Sequence, residues 1–313
     1  MIAAVDVGGT KIAVGMVDAQ GQLLSRAESP TTADAGYGKA LERTAAMLRE
    51  TATKAGTEIT GIGIGSTGPV DPVSGEIGDV GFFPQWRGEN PARDLERLFH
   101  VSVAMENDAD AAALGEAGWG AGKNKSHLIY VTVGTGIGVG VILDGQVYRG
   151  VGGAHPEIGH HVVDASGPAC TCGFSGCWES LAAGPAMVAW VERNAPPEYP
   201  RAGLTAKRIC ELAREGDPWA QRAVEHEGRY LGLGLANLVT LFIPEMIVLG
   251  GSVMNSADLF MDRIREVIAS SCRFVPYEKT KLVLASLGEH TNLIGAARVW
   301  YHRFDAKGEL RAG

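Results

Sequence analysis

The stretch Glu157-Ile-Gly-His-His-Val-Val-Asp-Ala-Ser-Gly-Pro-Ala-Cys-Thr-Cys-Gly-Phe-Ser-Gly-Cys-Trp-Glu179 decides how this chain is read. Three of the five cysteines, Cys170, Cys172 and Cys177, fall within eight residues. Soft thiolates joined by an imidazole suit zinc, which takes four such ligands in a tetrahedron. Gly173 and Gly176 let the chain turn back so that Cys177 joins the other two. The spacing therefore points to a Cys3His zinc site, against the alternatives of a disulfide or of thiols buried as small apolar groups. The fourth ligand is open among His155, His160 and His161. On an extended segment the adjacent His160 and His161 point to opposite faces, so they do not easily share one site. Four protein ligands leave no place for water, which makes the metal structural and folds the segment around it.

Composition narrows the class. The chain has 313 residues, 45% of them hydrophobic, enough for two modest domains with their own cores. A net charge of −8 argues against a nucleic-acid or anionic-membrane partner. No apolar run reaches spanning length and no charged-then-apolar leader precedes the first strand, so a cytoplasmic location is expected. Cys210 and Cys272 stand apart from the cluster, a usage that fits a metal site in a reducing compartment better than a disulfide framework.

Outward from the cluster, the chain alternates strands and helices. Ile2 to Val7 is a buried strand, broken by Gly8 and Gly9, and Lys11 to Val17 is a second strand. In the turn Asp6-Val-Gly-Gly-Thr-Lys11, amides of Gly8 and Gly9 with Thr10 and Lys11 can approach a phosphate, and Asp6 can hold a hydrated Mg2+. A plain glycine hairpin with an exposed lysine is the competing reading. Lys39 to Ala55 and Asn90 to Leu98 have helical periodicity. Phe82-Phe-Pro-Gln-Trp86 either lines a pocket or is a packed loop. A strand at 101–104 ends in Glu106-Asn-Asp-Ala-Asp110, and an alanine-rich helix runs on to about Ala117. Strand ends opening onto helices are where open α/β sheets bind ligands. There Asp108 is either a general base or an N-cap. After a strand at 128–133, Gly134-Thr-Gly136 forms a second glycine turn. It lacks the third glycine of a dinucleotide fingerprint, and Asp144-Gly145 makes a hairpin beyond it. This echo of the first hairpin suggests a duplicated fold with a cleft between two lobes. Downstream come helices at 186–193 and 219–242, within 247–253 a buried strand ending in a Gly250-Gly251 turn, a helix capped by Ser256 and reaching Ser271, a strand at 281–285 and a last helix at 292–304.

Taken together, Asp6–Lys11, Glu106–Ala109, Gly134–Gly138, Glu157–His160 and Cys170–Glu179 resemble the ROK sugar kinases, named for repressors, open reading frames and kinases. The resemblance runs from Ile2 to about Trp300. It implies an α/β fold of the two-lobed actin-like ATPase (ribonuclease H-like) type with a central cleft and a zinc-stabilised loop, assembled as a homodimer. The lobes would be 1–117 plus about 298–313, and 118–297. It implies ATP with Mg2+, phosphates at the two glycine turns, and the adenosine end near Gly250 and Gly251. It assigns Asp108 as the base, Asn107, Glu157, His160 and Glu179 to sugar hydroxyls, and His160 with Cys170, Cys172 and Cys177 to the structural Zn2+.

The expected reaction is phosphorylation of a hexose, glucose or a close relative, at its 6-hydroxyl. Several residues depart from the family pattern. Phe82, Phe83 and Gln85 stand where an asparagine is frequent, and His155-Pro156 precedes Glu157 where many glucokinases have small residues. A fructokinase branch has a similar His-Pro-Glu, and Ser66-Thr67-Gly68 resembles N-acetylmannosamine kinases. An N-acetylmannosamine or N-acetylglucosamine kinase is thus the alternative, with a fructokinase or a non-catalytic sugar-binding protein behind it. The repressor branch carries a DNA-binding helix-turn-helix before the first glycine motif, which here starts at Asp6, and the acidic charge opposes that reading too.

Overall fold

The computed structural model describes residues 1–304 and 308–311; part of the span 298–313 lies outside them. The chain opens with strands β1 (Ile2–Val7), β2 (Lys11–Val17) and β3 (Leu23–Pro30), then helix α1 (Tyr37–Ala55) and β4 (Gly61–Ser66). A small pair, β5 (Val70–Asp71) and β6 (Glu76–Ile77), precedes α2 (Pro91–Phe99), β7 (Val103–Asn107) and α3 (Asp108–Trp119). Next come β8 (Leu128–Val133), β9 (Ile137–Leu143) and β10 (Gln146–Val147), then α4 (Trp178–Ala182), α5 (Gly184–Asn194), α6 (Ala206–Arg214) and α7 (Pro218–Phe242). The chain finishes with β11 (Met246–Gly250), α8 (Met261–Ser271), β12 (Lys281–Leu284) and α9 (Thr291–Arg303). No helix among the described residues is long and apolar enough to cross a membrane.

Two five-stranded sheets share one strand order: β3-β2-β1-β4-β7 and β10-β9-β8-β11-β12. In each, a hairpin-connected trio is extended by strands that arrive through helices. This repeated order is that of the actin-like ATPase fold. Contacts divide the chain into two compact units, Met1–Tyr130 with Gly140–Pro156 and Ala285–Gly313, and Val131–Val139 with Glu157–Leu284. The lobes drawn from sequence are divided elsewhere: 118–130, 140–156 and 285–297 group with the first unit. Strands β8 and β9 each run from one unit into the other, so no loop or change of composition marks the border.

The first unit shows how sequence sets its layers. In β4, Gly-Ile-Gly-Ile-Gly-Ser, alternation sends Ile62 and Ile64 into a core with Val5, Val14, Leu48 and Met105. Each fully buried isoleucine contributes about 1.5–3 kcal/mol. The alternate positions are glycines because α9 lies directly on them: a Cβ at Gly63 would fall 1.9 Å from the Ala296 carbonyl oxygen. Where α3 crosses α9, Gly115 and Gly295 meet, and a Cβ at Gly295 would lie 2.3 Å from the Ala111 carbonyl oxygen. Glu116, fully buried, accepts from the backbone amides of Ala121, Ser286 and Leu287 and so anchors the end of α3. A buried carboxylate with several amide donors is a stable arrangement. Helix α3 is thereby held firmly, and with it the residues at its start.

In the second unit α7 is the central helix, with α4, α5, α6 and α8 packed on it. Asp217 caps it, accepting from the amides of Trp219 and Ala220, and Pro218 fills the first position, where no donor is needed. One expectation fails here. Ser256 does not cap a helix, because Ser252–Leu259 winds as 3-10 turns with Ser256 at a non-helical kink, and α8 starts only after Phe260. Burial of Val253, Met254, Ala257 and Phe260 draws this segment into tighter turns than α-helix allows. The strand before it ends at Gly250, in the expected Gly250-Gly251 turn.

Helix α7 also buries Glu227 completely, with neither carboxylate oxygen hydrogen-bonded. Burial pushes its pKa well above 4.5. The folded state thus disfavours the ionised form. Stability tied to this group is present below its unfolded pKa and lost as pH rises through the folded value. Glu227→Gln is expected to raise Tm by several degrees at pH 8, with the gain shrinking towards pH 4.5, since the neutral amide removes the group whose ionisation favours the unfolded state. Thermal melts across that range check it; a difference independent of pH would contradict it.

Candidate active site and metal centre

Parallel pairing of β1, β4 and β7 brings their carboxyl ends to one edge of the first sheet. Register sets Asp6 opposite Gly65, and Ser66 opposite Asn107. The residues just past these ends, Thr67 and Asp108, therefore meet: the Thr67 hydroxyl donates to Asp108 Oδ2 at 3.3 Å. Helix α3 begins at Asp108, and its N-cap is Asn107, whose Oδ1 accepts from the Ala109 amide at 2.8 Å. Asp108 is therefore not the N-cap. Its Oδ1 also accepts from the Ala109 amide, and part of its side chain reaches the surface. Burial raises its pKa, opposed by the Ala109 amide, the His155 charge and the Thr67 hydroxyl. Asp6 is raised to about 7, by burial first and then by the charge of Asp108. Two recessed carboxylates that repel each other form a donor set suited to a hydrated divalent cation.

The first glycine turn lies between β1 and β2, closed by the Gly8 amide donating to the Lys11 carbonyl at 2.9 Å. Thr31 Oγ1 donates to the Gly8 carbonyl at 2.7 Å. Lys11 is exposed and pairs with Glu28 on β3 at 3.1 Å, so its ammonium is held at the strand edge. Phe82 lies against Gly9 with 61% of its surface exposed, whereas Phe83 and Trp86 are buried. The aromatic loop is thus mostly packed, with one ring left over the turn.

Sequence reasoning passed over two charged pairs at the same corner. Arg149 binds the buried Glu106, and His155 Nδ1 lies 2.8 Å from Asp110 Oδ2. Burial raises Glu106 to about 7, with Arg149 opposing. The signal was available: acidic residues at alternate positions of a strand end and the following turn need partners if buried.

In the second unit, Gly134-Thr135-Gly136 turns between β8 and β9, with the Gly134 amide donating to the Gly136 carbonyl at 2.9 Å. The Gly134 carbonyl accepts from the Gly184 amide at the start of α5. Glu179, in the first turn of α4, accepts from the Ile137 amide through Oε2 at 2.8 Å. Gly250 ends β11 and Gly251 opens the 3-10 segment. Beside that segment, Ser252, Asn255 and Ser256 with Lys207, Cys210 and Arg214 line an open cavity of about 450 Å³.

The metal centre is compact. One ligand atom each from His160, Cys170, Cys172 and Cys177 lies within 4.8 Å of the others, and all three thiols are unbridged. Cys170 Sγ is 3.4 Å from His160 Nδ1, and Cys172 Sγ is 3.4 Å from Cys177 Sγ. A tetrahedral zinc with Zn–S of about 2.3 Å sets sulfurs about 3.8 Å apart, so the donors fit with small adjustment. Gly173 and Gly176 turn the chain in the left-handed region, at φ of 97° and 73°. A Cβ at Gly176 would fall 1.6 Å from the Asp164 carbonyl oxygen. His160 sits in a 3-10 turn and faces the thiols. His161 turns away, donating through Nδ1 to the Ile158 carbonyl and accepting at Nε2 from the Asn237 amide, its ring edge-on to Trp178. Glu157, at the start of that turn, is exposed.

Residues 2–303 match the profile of the ROK family. A glucokinase of Streptomyces coelicolor is 35% identical over 314 residues, covering 94% of this chain and 95% of that protein. The solved ROK hexokinase of Thermus thermophilus is 36% identical with a TM-score of 0.80, covering 96% of this chain and 98% of its own. A ROK family glucokinase of Streptomyces griseus, solved with glucose and AMPPNP, is 34% identical with a TM-score of 0.80, covering 95% and 97%.

Proposed function

Because the chain belongs to the ROK family, we propose that it transfers the terminal phosphoryl group of ATP to a hexose, glucose or a close relative, at the 6-hydroxyl. The carrying observation is Asp108: a recessed carboxylate at the carboxyl end of β7, relieved of capping by Asn107 and oriented by Thr67. Phosphoryl transfer asks a protein mainly for positioning and charge neutralisation, plus one group to accept the hydroxyl proton. Asp108 fills that last role. Asn107, Glu157, His160 and Glu179 are assigned to the sugar hydroxyls, since each hydroxyl buried without a partner is costly. The backbone at Gly8–Lys11 and Gly134–Gly136 receives phosphate oxygens, and Mg2+ is held through water near Asp6. The cavity beside Gly250 and Gly251 takes the adenosine end.

His160, Cys170, Cys172 and Cys177 would hold a zinc ion in a structural role, since four protein ligands would leave no open position for Lewis-acid work. Bound zinc would fix His160, which is assigned to the sugar, so that a structural metal would order a binding residue. The sugar is tested by ADP release with ATP and Mg2+ on glucose, mannose, fructose, N-acetylglucosamine and N-acetylmannosamine. Glucose is expected to give the highest kcat/KM. A signal confined to an acetylated sugar would shift the reading to an N-acylhexosamine kinase and put Thr67 and Phe82 at the centre of selectivity. Silence on every sugar would revive a non-catalytic binding protein.

A further inference from the structure

In the turn Gly8–Lys11 three carbonyls are engaged. That of Lys11 accepts from the Gly8 amide, that of Gly8 from the Thr31 hydroxyl at 2.7 Å, and that of Thr10 from the Thr31 amide at 2.9 Å. Two of the three bonds thus come from one residue, which follows β3 and is 1% exposed. Thr31 is held in its turn: Arg43 of α1 donates through Nη2 to the Thr31 carbonyl at 2.7 Å and to the Pro30 carbonyl at 3.2 Å. The Gly9 amide, by contrast, makes no hydrogen bond among the described residues. A trans peptide is planar, so the Gly8 carbonyl and the Gly9 amide point in opposite directions. With the carbonyl drawn to Thr31, the Gly9 N–H faces away from it and is free to donate. Two glycines in succession make that orientation easy to lose. The peptide plane between them can turn over at little cost, since neither residue carries a Cβ. Turned over, it would set the Gly8 oxygen where the Gly9 N–H stood and repel an anion.

We propose that Thr31 is a positioning residue for the phosphoryl donor: its hydroxyl fixes the Gly8–Gly9 peptide so that the Gly9 amide, and not the Gly8 carbonyl, faces the phosphate oxygens of ATP. The proposal rests on the reading of this turn as a phosphate site. A backbone amide aimed at an anion makes a charge-assisted hydrogen bond, and it is worth most when its direction is set before the anion arrives. Thr31 is buried and does not touch the phosphate; it works through Gly9. Arg43 fixes the backbone from which Thr31 donates.

The test is Thr31→Val, which keeps the shape of the side chain and loses the hydroxyl. Its kcat/KM for ATP is expected to fall about tenfold, the scale of one hydrogen bond to a charged group, with the sugar's KM within about twofold of wild type. Thr31→Ser, which keeps the hydroxyl, should restore kcat/KM for ATP to within about threefold of wild type. In calorimetry with Mg2+, Thr31→Val should bind a non-hydrolysable ATP analogue about tenfold more weakly than wild type does, and adenosine equally well. A merely structural role gives a different pattern: a smaller active fraction that lowers kcat and leaves both KM values and both affinities unchanged. That pattern overturns the proposal, as does a Thr31→Ser variant no better than Thr31→Val. The wild-type protein separates the two failures. If it binds the analogue no more tightly than adenosine, the phosphate reading is wrong. If it favours the analogue and Thr31→Val favours it equally, the reading stands and the role of Thr31 is wrong.

Discussion

Asp108→Asn is expected to lower kcat by about 10³-fold while leaving the sugar's KM within a few-fold. General-base assistance contributes about 10²–10⁴-fold, and asparagine keeps the size and the acceptor oxygen but cannot take the proton. The loss should not come from unfolding. Burial raises the Asp108 carboxyl in the folded state, so the ionised side chain costs stability as pH rises, and the neutral variant should melt no lower than wild type at pH 8. Steady-state kinetics with a thermal melt on the same sample measures both. Turnover within tenfold of wild type would show that another group takes the proton. The same raised carboxyl sets the sign of the pH profile: activity requires the ionised base, so it is lost as pH falls.

Cys172→Ser is the second large effect. It removes one of four donors whose ligand atoms lie within 4.8 Å. Structural zinc sites in small folds are worth about 10–16 kcal/mol of binding at neutral pH, so a site cut to three ligands should lose its metal on modest chelation. Without zinc, burial pushes the Cys177 thiol up to about 12, with Cys172 and Cys170 adding to the effect. The crowded thiols then have no cation to favour their ionised forms, and the loop loosens. His160 loosens with it, so the sugar's KM should rise at least about tenfold, the scale seen when support around a metal ligand is removed. The KM for ATP should change little. Metal content by mass spectrometry, paired with KM values, checks the link. A variant empty of zinc with an unchanged sugar KM would break the connection between the metal and the sugar.

Much of this was legible from the chain. The apolar run Ile2–Val7, broken by two glycines, marks a buried strand, and the cysteine spacing with two glycines marks a metal knuckle. Where the reading stopped, the missing information was long-range. The choice between His160 and His161 depends on which side of a 3-10 turn each ring leaves, and their order in sequence does not contain that; His155 is drawn off by Asp110. Whether Asp108 is the N-cap turns on a single residue of helix register, and Asn107 takes the cap. The Asp110–His155 pair joins residues 45 apart, so neither residue signals the other. Ser256 misled because a serine before an apolar run is a fair helix start, while burial of Phe260 and its neighbours decided the local winding. The unit borders were hidden because strands β8 and β9 cross them without a break.

The most direct measurement is 31P NMR of ATP, Mg2+ and glucose with the protein. A phosphomonoester resonance matching glucose 6-phosphate should grow as the γ-phosphate signal declines, and Asp108→Asn should suppress both changes. Inorganic phosphate formed in place of the ester, or a spectrum unchanged over hours with every sugar offered, would contradict the assignment of this chain as a sugar kinase.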